Sequence, residues 1–179
     1  MLPLGHISAA FLIASTEKKL RPIETVFIVF VGILLDFDYL ITPLLGLPAG
    51  THHFLPSHTP LGALIIWLVL VFVLRKKISQ KTKILVGWAI LSHLALDDLS
   101  YWLGVSGPQI FWQYPFDPSR AREINKFWEF YNTMPYNHYQ FLVKYFYQRP
   151  RLFSLEIILA IWALVVYLKR HKIKTDGKN

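Results

Sequence analysis

The sequence predicts an all-α integral membrane protein: a helical bundle of four main transmembrane spans, with a short N-terminal helix and an outer helical cap. Hydrophobic residues make up 54% of the 179-residue chain, which exceeds the share in ordinary soluble domains, and the length suits one domain over residues 1–179. Four apolar stretches approach the roughly 20 residues that cross a bilayer. His and Asp side chains lie within these stretches, where ionisable groups are costly and usually mark function.

The order of the elements follows from where the apolar stretches end. Residues 7–14 form a short retained helix rather than a cleaved signal, because Glu17, Lys18 and Lys19 follow in place of a polar cleavage region. Each longer stretch ends at proline, glycine or a basic run, which stop a helix or leave the bilayer. The predicted spans are 23–42, 61–74, 84–103 and 152–168, and the aromatic-rich segment 105–151 is the predicted cap.

Basic residues set the predicted orientation. Five positive charges lie within 75–83, others follow Leu168, and Lys18 and Lys19 precede the first span. The positive-inside rule places all of these in the cytoplasm. The chain is then a multi-pass protein of the cell membrane with a cytoplasmic C-terminus. The cap is also basic, which opposes this orientation, although long loops count for less.

The composition of the chain limits which binding partners and which catalytic groups are expected. The formal charge of +8 would suit nucleic acid, but the chain has no nucleic-acid-binding motif, so we expect anionic lipid headgroups instead. There are no cysteines, which excludes disulfides and thiolate zinc sites. No nucleophile elbow or phosphate-binding glycine loop occurs. Any metal site must therefore use His, Asp, Glu, backbone oxygen or water.

The third span holds the clearest pair of candidate ligands. His93 and Asp97 are four residues apart and share one face of a helix, so both can reach one cation, or Asp97 can orient His93. The alternative is a His–Asp hydrogen bond that fills a polar gap between spans. The apolar surroundings favour the metal. Asp98 lies on another face and is the candidate general base.

Further candidates lie at the end of the first span and in the loop beyond it. Asp36 and Asp38 are on different faces of an ideal helix, so both reach one site only if the helix opens there. Otherwise one of them caps the loop or pairs with a cap arginine. His53 and His58 lie in the Gly- and Pro-rich loop, and the choice between ligand and solvated bystander is open for both.

In the predicted topology these candidates converge on one level of the membrane. The first-span carboxylates, the loop histidines and the third-span pair all fall toward the outer face. His6, which follows Gly5, falls toward the same level, although a capping or interfacial role would explain it equally well. Scattered structural polar residues have little reason to converge in this way.

Taken in chain order, the motifs resemble those of the YdjM-like family of inner-membrane proteins, a group of proposed metal-dependent hydrolases. The resemblance covers about residues 5–118 and implies an inner-membrane location, a metal site and hydrolysis. Phe54 and Leu55 replace the family's Arg-Gly, which removes any phosphate anchor at that arginine. The matching motifs are Gly5-His6, Leu35-Asp36-Phe37-Asp38, the His53 and His58 pair, Ser92-His93-Leu-Ala-Leu-Asp97 and the Phe111 to Phe116 segment.

The sequence therefore predicts a metal-dependent hydrolase that acts on an ester or phosphoester of an amphiphilic, lipid-like substrate. One to three divalent ions are expected, with zinc first and manganese or iron as substitutes. Arg120 or Arg122 would hold a substrate phosphate. The alternative is a non-catalytic membrane protein whose cluster is a structural metal site, an ion or proton path, or a scaffold. The predicted ligands are His6, Asp36, Asp38, His53, His58, His93 and Asp97.

Overall fold

The computed structural model describes residues 3–42, 44, 53, 55–103, 110, 112, 113, 116 and 150–176, and the regular structure within them is helical. The predicted all-α class is confirmed for this part of the chain. The predicted cap lies almost entirely outside the described residues. The helices are α1 (Pro3–Ser15), α2 (Pro22–Leu34), α3 (Pro60–Val73), α4 (Gln80–Trp102) and α5 (Pro150–Asp176), with 3-10 helices at Leu35–Leu40 and Pro56–His58.

Each predicted span overlaps a helix, but the helices differ in their capacity to cross a membrane. Among the described residues, Pro150–Arg170 is long and apolar enough to do so. Helix α4 has 23 residues, but its ionisable side chains lower its hydropathy, and α1 and α3 are apolar but shorter. The first predicted span is divided, because α2 ends at Leu34 and continues as the 3-10 helix. The helices thus support a membrane protein without establishing four crossings.

Helix α1 lies at the centre of the described bundle. It packs against α2, α4 and α5, while α2 also packs on α4, and α3 contacts α4 and the 3-10 helix at Pro56–His58. Small residues allow the close approach of α1 and α2, since a Cβ on Gly32 would overlap the Cβ of Ala10. The core where these helices meet includes Ala10, Ala14, Ile28, Val31, Val86, Ala89, Ile90 and Leu94.

The outward surface of α3 is apolar along its length. Ala63 is its buried residue, whereas Leu64, Leu68 and Phe72 are exposed by 47%, 51% and 65%. Such a continuous apolar surface is unfavourable in water and typical of a surface that faces lipid or a partner. Because this part of the fold leaves α3 apolar on most sides, it agrees with a membrane environment.

At the end of the bundle far from His93, a network of hydrogen bonds and an ion pair joins the start of α2 and the start of α4 to their neighbours. The buried Glu24 carboxylate accepts hydrogen bonds from the Thr82 hydroxyl at 2.7 Å and from the Ser79 backbone N–H at 3.1 Å, which joins α2 to the start of α4. The Lys81 ammonium lies 2.5 Å from the Glu17 carboxylate and holds the pKa of that exposed carboxyl below its usual value. These contacts fix how α2 and α4 lie beside each other, and so position the residues further along both helices.

Candidate metal centre

Four imidazoles from three parts of the chain surround the carboxylate of Asp97. On α4 itself, His93 Nε2 lies 3.1 Å from Asp97 Oδ2, as the four-residue spacing predicts. From α1, His6 Nε2 lies 3.1 Å from Asp97 Oδ1. His53 Nε2 and His58 Nε2 lie 3.8 Å and 3.9 Å from Asp97 Oδ2. Both oxygens of the Asp97 carboxylate therefore face histidine Nε2 atoms.

Asp36 adds a second carboxylate to this cluster. Its Oδ1 lies 3.5 Å from His93 Nε2 and 4.0 Å from His58 Nε2. Asp97 is shared between two groups of side chains that could each hold a metal ion, since the ligand atoms within each group lie within 4.8 Å of one another. The first group is His6, Asp36, His93 and Asp97, and the second is His53, His58 and Asp97.

The second ring nitrogens of His58 and His93 define how the two imidazoles are protonated. His93 Nδ1 lies 2.8 Å from the Gly32 carbonyl oxygen, which can only accept a hydrogen bond, so Nδ1 carries a proton. His58 Nδ1 lies 2.8 Å from Asp38 Oδ2 and likewise donates. In the neutral rings, both Nε2 atoms then present lone pairs to each other at 3.4 Å. Two lone pairs at this distance repel each other, unless a cation lies between them or one ring is protonated at Nε2, as His93 would be if it donated to Asp97 Oδ2 at 3.1 Å.

These distances fit a metal site of nitrogen and oxygen ligands. Ligands 2.0–2.1 Å from a tetrahedral zinc ion are about 3.3 Å apart, close to the 3.4 Å between the Nε2 atoms of His58 and His93. A ligating histidine commonly donates its other N–H to a carboxylate or a carbonyl, as both of these residues do. The residues present thus suit a divalent ion.

The local backbone explains how Asp36 and Asp38 both reach the cluster. They lie in the 3-10 helix Leu35–Leu40, where successive residues turn by about 120° rather than about 100°, which brings positions i and i+2 closer around the axis. The two carboxylates thus lie in a tighter helical turn, and no opened helix is present at these residues. The two carboxylates approach different edges of one imidazole, because Asp36 faces His58 Nε2 and Asp38 faces His58 Nδ1.

A short, internally bonded turn holds His58. The residue ends the 3-10 helix Pro56–His58, and Thr59 caps the next helix by accepting a hydrogen bond from the Gly62 N–H at 3.1 Å. The Thr59 hydroxyl also donates to the Pro56 carbonyl at 2.7 Å. Pro56 before His58, and Thr59 and Pro60 after it, therefore hold the ring on a rigid turn.

Asp38 contacts His58 from behind rather than joining either candidate ligand group. Its Oδ2 accepts hydrogen bonds from His58 Nδ1 and from the Ser57 hydroxyl. This contact suits Asp38 to orient His58, and its role as a metal ligand stays a prediction. The sequence analysis gave no role to Ser57 or to the Gly32 carbonyl. The position of Ser57 beside His58 was a usable signal, whereas a backbone carbonyl leaves no trace in sequence.

We expect Asp38→Ala to weaken metal binding by about 10- to 100-fold, the usual cost of losing such an orienting partner. The change leaves both candidate ligand groups intact but releases His58 Nδ1 and the Ser57 hydroxyl. The measurement is competition of the purified protein with a calibrated zinc chelator. Ser57→Ala is the matched control and removes only one of the two hydrogen bonds. Unchanged affinity in Asp38→Ala would show that the ring needs no such support.

The remaining predicted site residues are not part of the cluster that the structure describes. Asp98 Oδ2 accepts a hydrogen bond from Trp102 Nε1 at 3.4 Å, and Asp98 is in neither candidate ligand group. One residue of α-helix turns the side chain by about 100°, which separates Asp98 from Asp97. Its role as general base stays a prediction. Arg120 and Arg122 lie outside the described residues, and so do their predicted substrate contacts.

The cluster is closed on most sides and open on one. His6, His58, His93 and Asp97 are each exposed by 2% or less, and the His6 and His93 rings stack with centroids 3.9 Å apart. The side chains of Asp36 and His53 are exposed by 20% and 13%. A small molecule would therefore approach the cluster at the edge that Asp36 and His53 form.

A family comparison identifies the group to which this arrangement belongs. The model of the YdjM inner membrane protein family matches residues 1–173. The chain is a member of that family. The predicted resemblance is thus confirmed, and the match extends beyond residue 118 into α5. No curated protein and no solved structure shows a significant match. For this YdjM-family protein, membership establishes an inner-membrane family, while the metal and the reaction remain to be argued from the cluster.

Proposed function

We propose that this YdjM-family protein is a membrane-embedded, metal-dependent hydrolase of an ester or phosphoester in an amphiphilic, lipid-like substrate. The observation that carries the proposal is the pair of imidazole Nε2 atoms 3.4 Å apart, with both Nδ1 atoms already committed to acceptors. The His and Asp donors suit zinc, and manganese or iron(II) are substitutes. A bound divalent ion lowers the pKa of a coordinated water to about 7 and so supplies hydroxide at neutral pH.

The protein's own residues have distinct roles in this proposal. His6, His93 and Asp97 would hold one ion with Asp36, and His53 and His58 would hold a second ion through the shared Asp97. Asp38 and the Gly32 carbonyl keep the protons on the outer edges of His58 and His93. The burial of the inner ligands keeps bulk water away, which strengthens the electrostatic interactions within the site.

A four-span topology places this site near the outer face. In the proposed arrangement α2 with its 3-10 extension, α3, α4 and α5 each cross the membrane. The basic residues at the start of α4 and the end of α5 lie on the cytoplasmic side. His93 and Asp97 then lie in the outer half of α4. A site at that depth suits a substrate that remains in the bilayer, so we place a phospholipid or a lipid-linked phosphate first.

Complete burial of His58 and His93 favours a second candidate, a structural metal site without catalysis. Structural sites are closed by protein ligands, whereas catalytic sites keep one open position. The partly exposed Asp36 and His53 side chains favour the catalytic alternative. The metal-free alternative is a protonated imidazole paired with the Asp97 carboxylate, and metal analysis distinguishes it.

The test is hydrolysis by the full chain in detergent micelles, before and after removal of metal with a chelator. We expect release of product from a dioleoyl phospholipid or a long-chain phosphodiester, loss of activity on chelation, and recovery with zinc. Asp97→Asn should abolish metal binding and activity. Asp98→Asn, at the next position of α4, is the matched control for metal binding and should keep the metal. Stoichiometric metal with no hydrolysis across the panel would favour the structural site instead.

A further inference from the structure

Two apolar grooves run along α4, on either side of a ridge formed by Ile84, Trp88 and Leu91. These three side chains follow helical spacing, are exposed by 50%, 56% and 43%, and line both grooves. Each groove has a volume of about 530 Å³. The groove between α3 and α4 is also lined by Pro60, Leu64, Trp67, Gly87, Ile90 and Leu94, and the groove between α1 and α4 by Ile13, Thr16, Leu85, Ser92 and Ala95.

Three polar side chains along these grooves donate hydrogen bonds within the protein. The Thr16 hydroxyl donates to the Ile13 carbonyl and the Ser92 hydroxyl donates to the Ala89 carbonyl, both at 2.8 Å. Trp67 Nε1 donates to the Lys83 carbonyl at 2.9 Å. These donors are therefore engaged, and the grooves suit hydrocarbon rather than a polar ligand.

The length of the grooves matches one leaflet. From Ile84 to Leu94, α4 rises by about 15 Å at 1.5 Å per residue. This distance is half of the roughly 30 Å hydrocarbon core of a bilayer. The ends of the grooves at Ile84 lie directly beside Lys83, in the basic segment 75–83, where the positive-inside rule places the cytoplasmic surface.

That end of the molecule presents positive charge. Lys76 and Lys77 are exposed, and Lys83 is half-buried. Lys81 pairs with Glu17, but among the described residues no carboxylate pairs with the other three lysines. The segment is held in place because the Arg21 guanidinium donates to the Lys77 carbonyl at 3.0 Å. A cationic segment that leads directly into the helix carrying both apolar grooves is complementary to an anionic headgroup that carries two chains.

We propose that this surface binds one anionic diacyl phospholipid of the cytoplasmic leaflet, with its phosphate at Lys76, Lys77 and Lys83 and one acyl chain on each side of the Ile84–Trp88–Leu91 ridge. The grooves extend from Ile84 to Leu94 and Ala95, level with His93, but the headgroup end at Lys83 lies about 15 Å along α4 from His93. The lipid is thus a bound partner rather than the substrate, and its binding does not depend on the proposed hydrolase activity.

The test is native mass spectrometry of the full chain in detergent micelles, titrated separately with dioleoyl phosphatidylglycerol and dioleoyl phosphatidylcholine. We expect one retained phosphatidylglycerol, bound about tenfold or more tightly than phosphatidylcholine, because each lysine near a surface contributes about fivefold to binding of an anionic lipid. Replacing Lys76, Lys77 and Lys83 by Gln should remove this preference. Equal affinity of the wild-type protein for both lipids would overturn the proposal.

The grooves are tested separately from the headgroup. Leu64→Trp fills the groove between α3 and α4 from an exposed position, and Val69→Trp is the matched control, because Val69 is exposed on α3 but lines neither groove. We expect Leu64→Trp to weaken binding of the two-chain lipid at least fivefold while sparing its single-chain lyso form. If the lysine variant loses binding but Leu64→Trp does not, the lipid is held by its headgroup only. That result would overturn the proposal. Leu64→Phe replaces Leu64→Trp if circular dichroism shows misfolding.

Discussion

Replacing His93 and Asp97 together by alanine is expected to abolish stoichiometric metal binding. The double change removes ligands from both candidate groups, because Asp97 belongs to each and faces the Nε2 atoms of four histidines. Elemental analysis of detergent-purified protein, after growth with added zinc, measures the outcome. We expect at least one ion per chain in the wild type and none above background in the variant.

Two controls separate loss of ligands from loss of fold. Asp98→Ala removes the adjacent carboxylate, which lies outside both groups, and should keep the metal. His93→Gln with Asp97→Asn preserves side-chain volume, so an intact helical spectrum together with lost metal would attribute the effect to coordination. A folded wild-type protein that stays metal-free would refute the metal centre. The close approach of His58 Nε2 and His93 Nε2 would then be explained by protonation of one of the two rings, with His93 3.1 Å from Asp97 Oδ2.

Gly32→Ala is expected to lower the free energy of unfolding by about 1–3 kcal/mol, the usual cost of overpacking a core. The new methyl group would overlap the Cβ of Ala10, so α1 and α2 must separate. Because α1 holds His6 and the Gly32 carbonyl holds His93, metal affinity should fall as well. Thermal unfolding and chelator competition in the same detergent measure the two effects.

A compensating substitution provides the control. Ala10→Gly removes the atom that the new methyl group would strike, and the other two neighbours of that position are at 3.6 Å and 3.7 Å, which is ordinary contact. Ala10→Gly alone costs about 1 kcal/mol through helix propensity. Adding Gly32→Ala to it should cost little more and should restore metal affinity. Equal stability of Gly32→Ala and the wild type would mean that the two helices do not pack this closely.

Parts of the site were predictable because the spacing of residues along one helix sets their geometry. His93 and Asp97 share a helix face through four-residue spacing, and their side chains do lie 3.1 Å apart. The departure from α-helical geometry at Asp36 and Asp38 was foreseeable in part, because both could reach one site only if the helix changed there, and they occupy a 3-10 helix. In both cases the relevant contacts are local, so propensity and periodicity are sufficient.

Other parts depended on contacts between distant segments. Asp38 stays a predicted ligand, and its contact with His58 Nδ1 arises because the loop returns with that edge of the ring toward the 3-10 helix. The role of the Gly32 carbonyl could not be read from a side-chain pattern. The local sequence also could not decide whether His53 and His58 are ligands or solvated bystanders. Their Nε2 atoms approach Asp97 only after α3 and the preceding turn pack beside α4.

Residue types and their local spacing were sufficient to predict the all-α class, the membrane character, the family and the kinds of side chain available for a metal site. Composition, periodicity and motif order carry that information, because each depends on residue type and local spacing. The tertiary structure alone decided that α1 is central, that Asp97 is shared between two candidate ligand groups, and which nitrogen of His58 and His93 faces inward. Those features depend on distances between separate helices, which are fixed by packing at contacts such as that of Gly32 with Ala10.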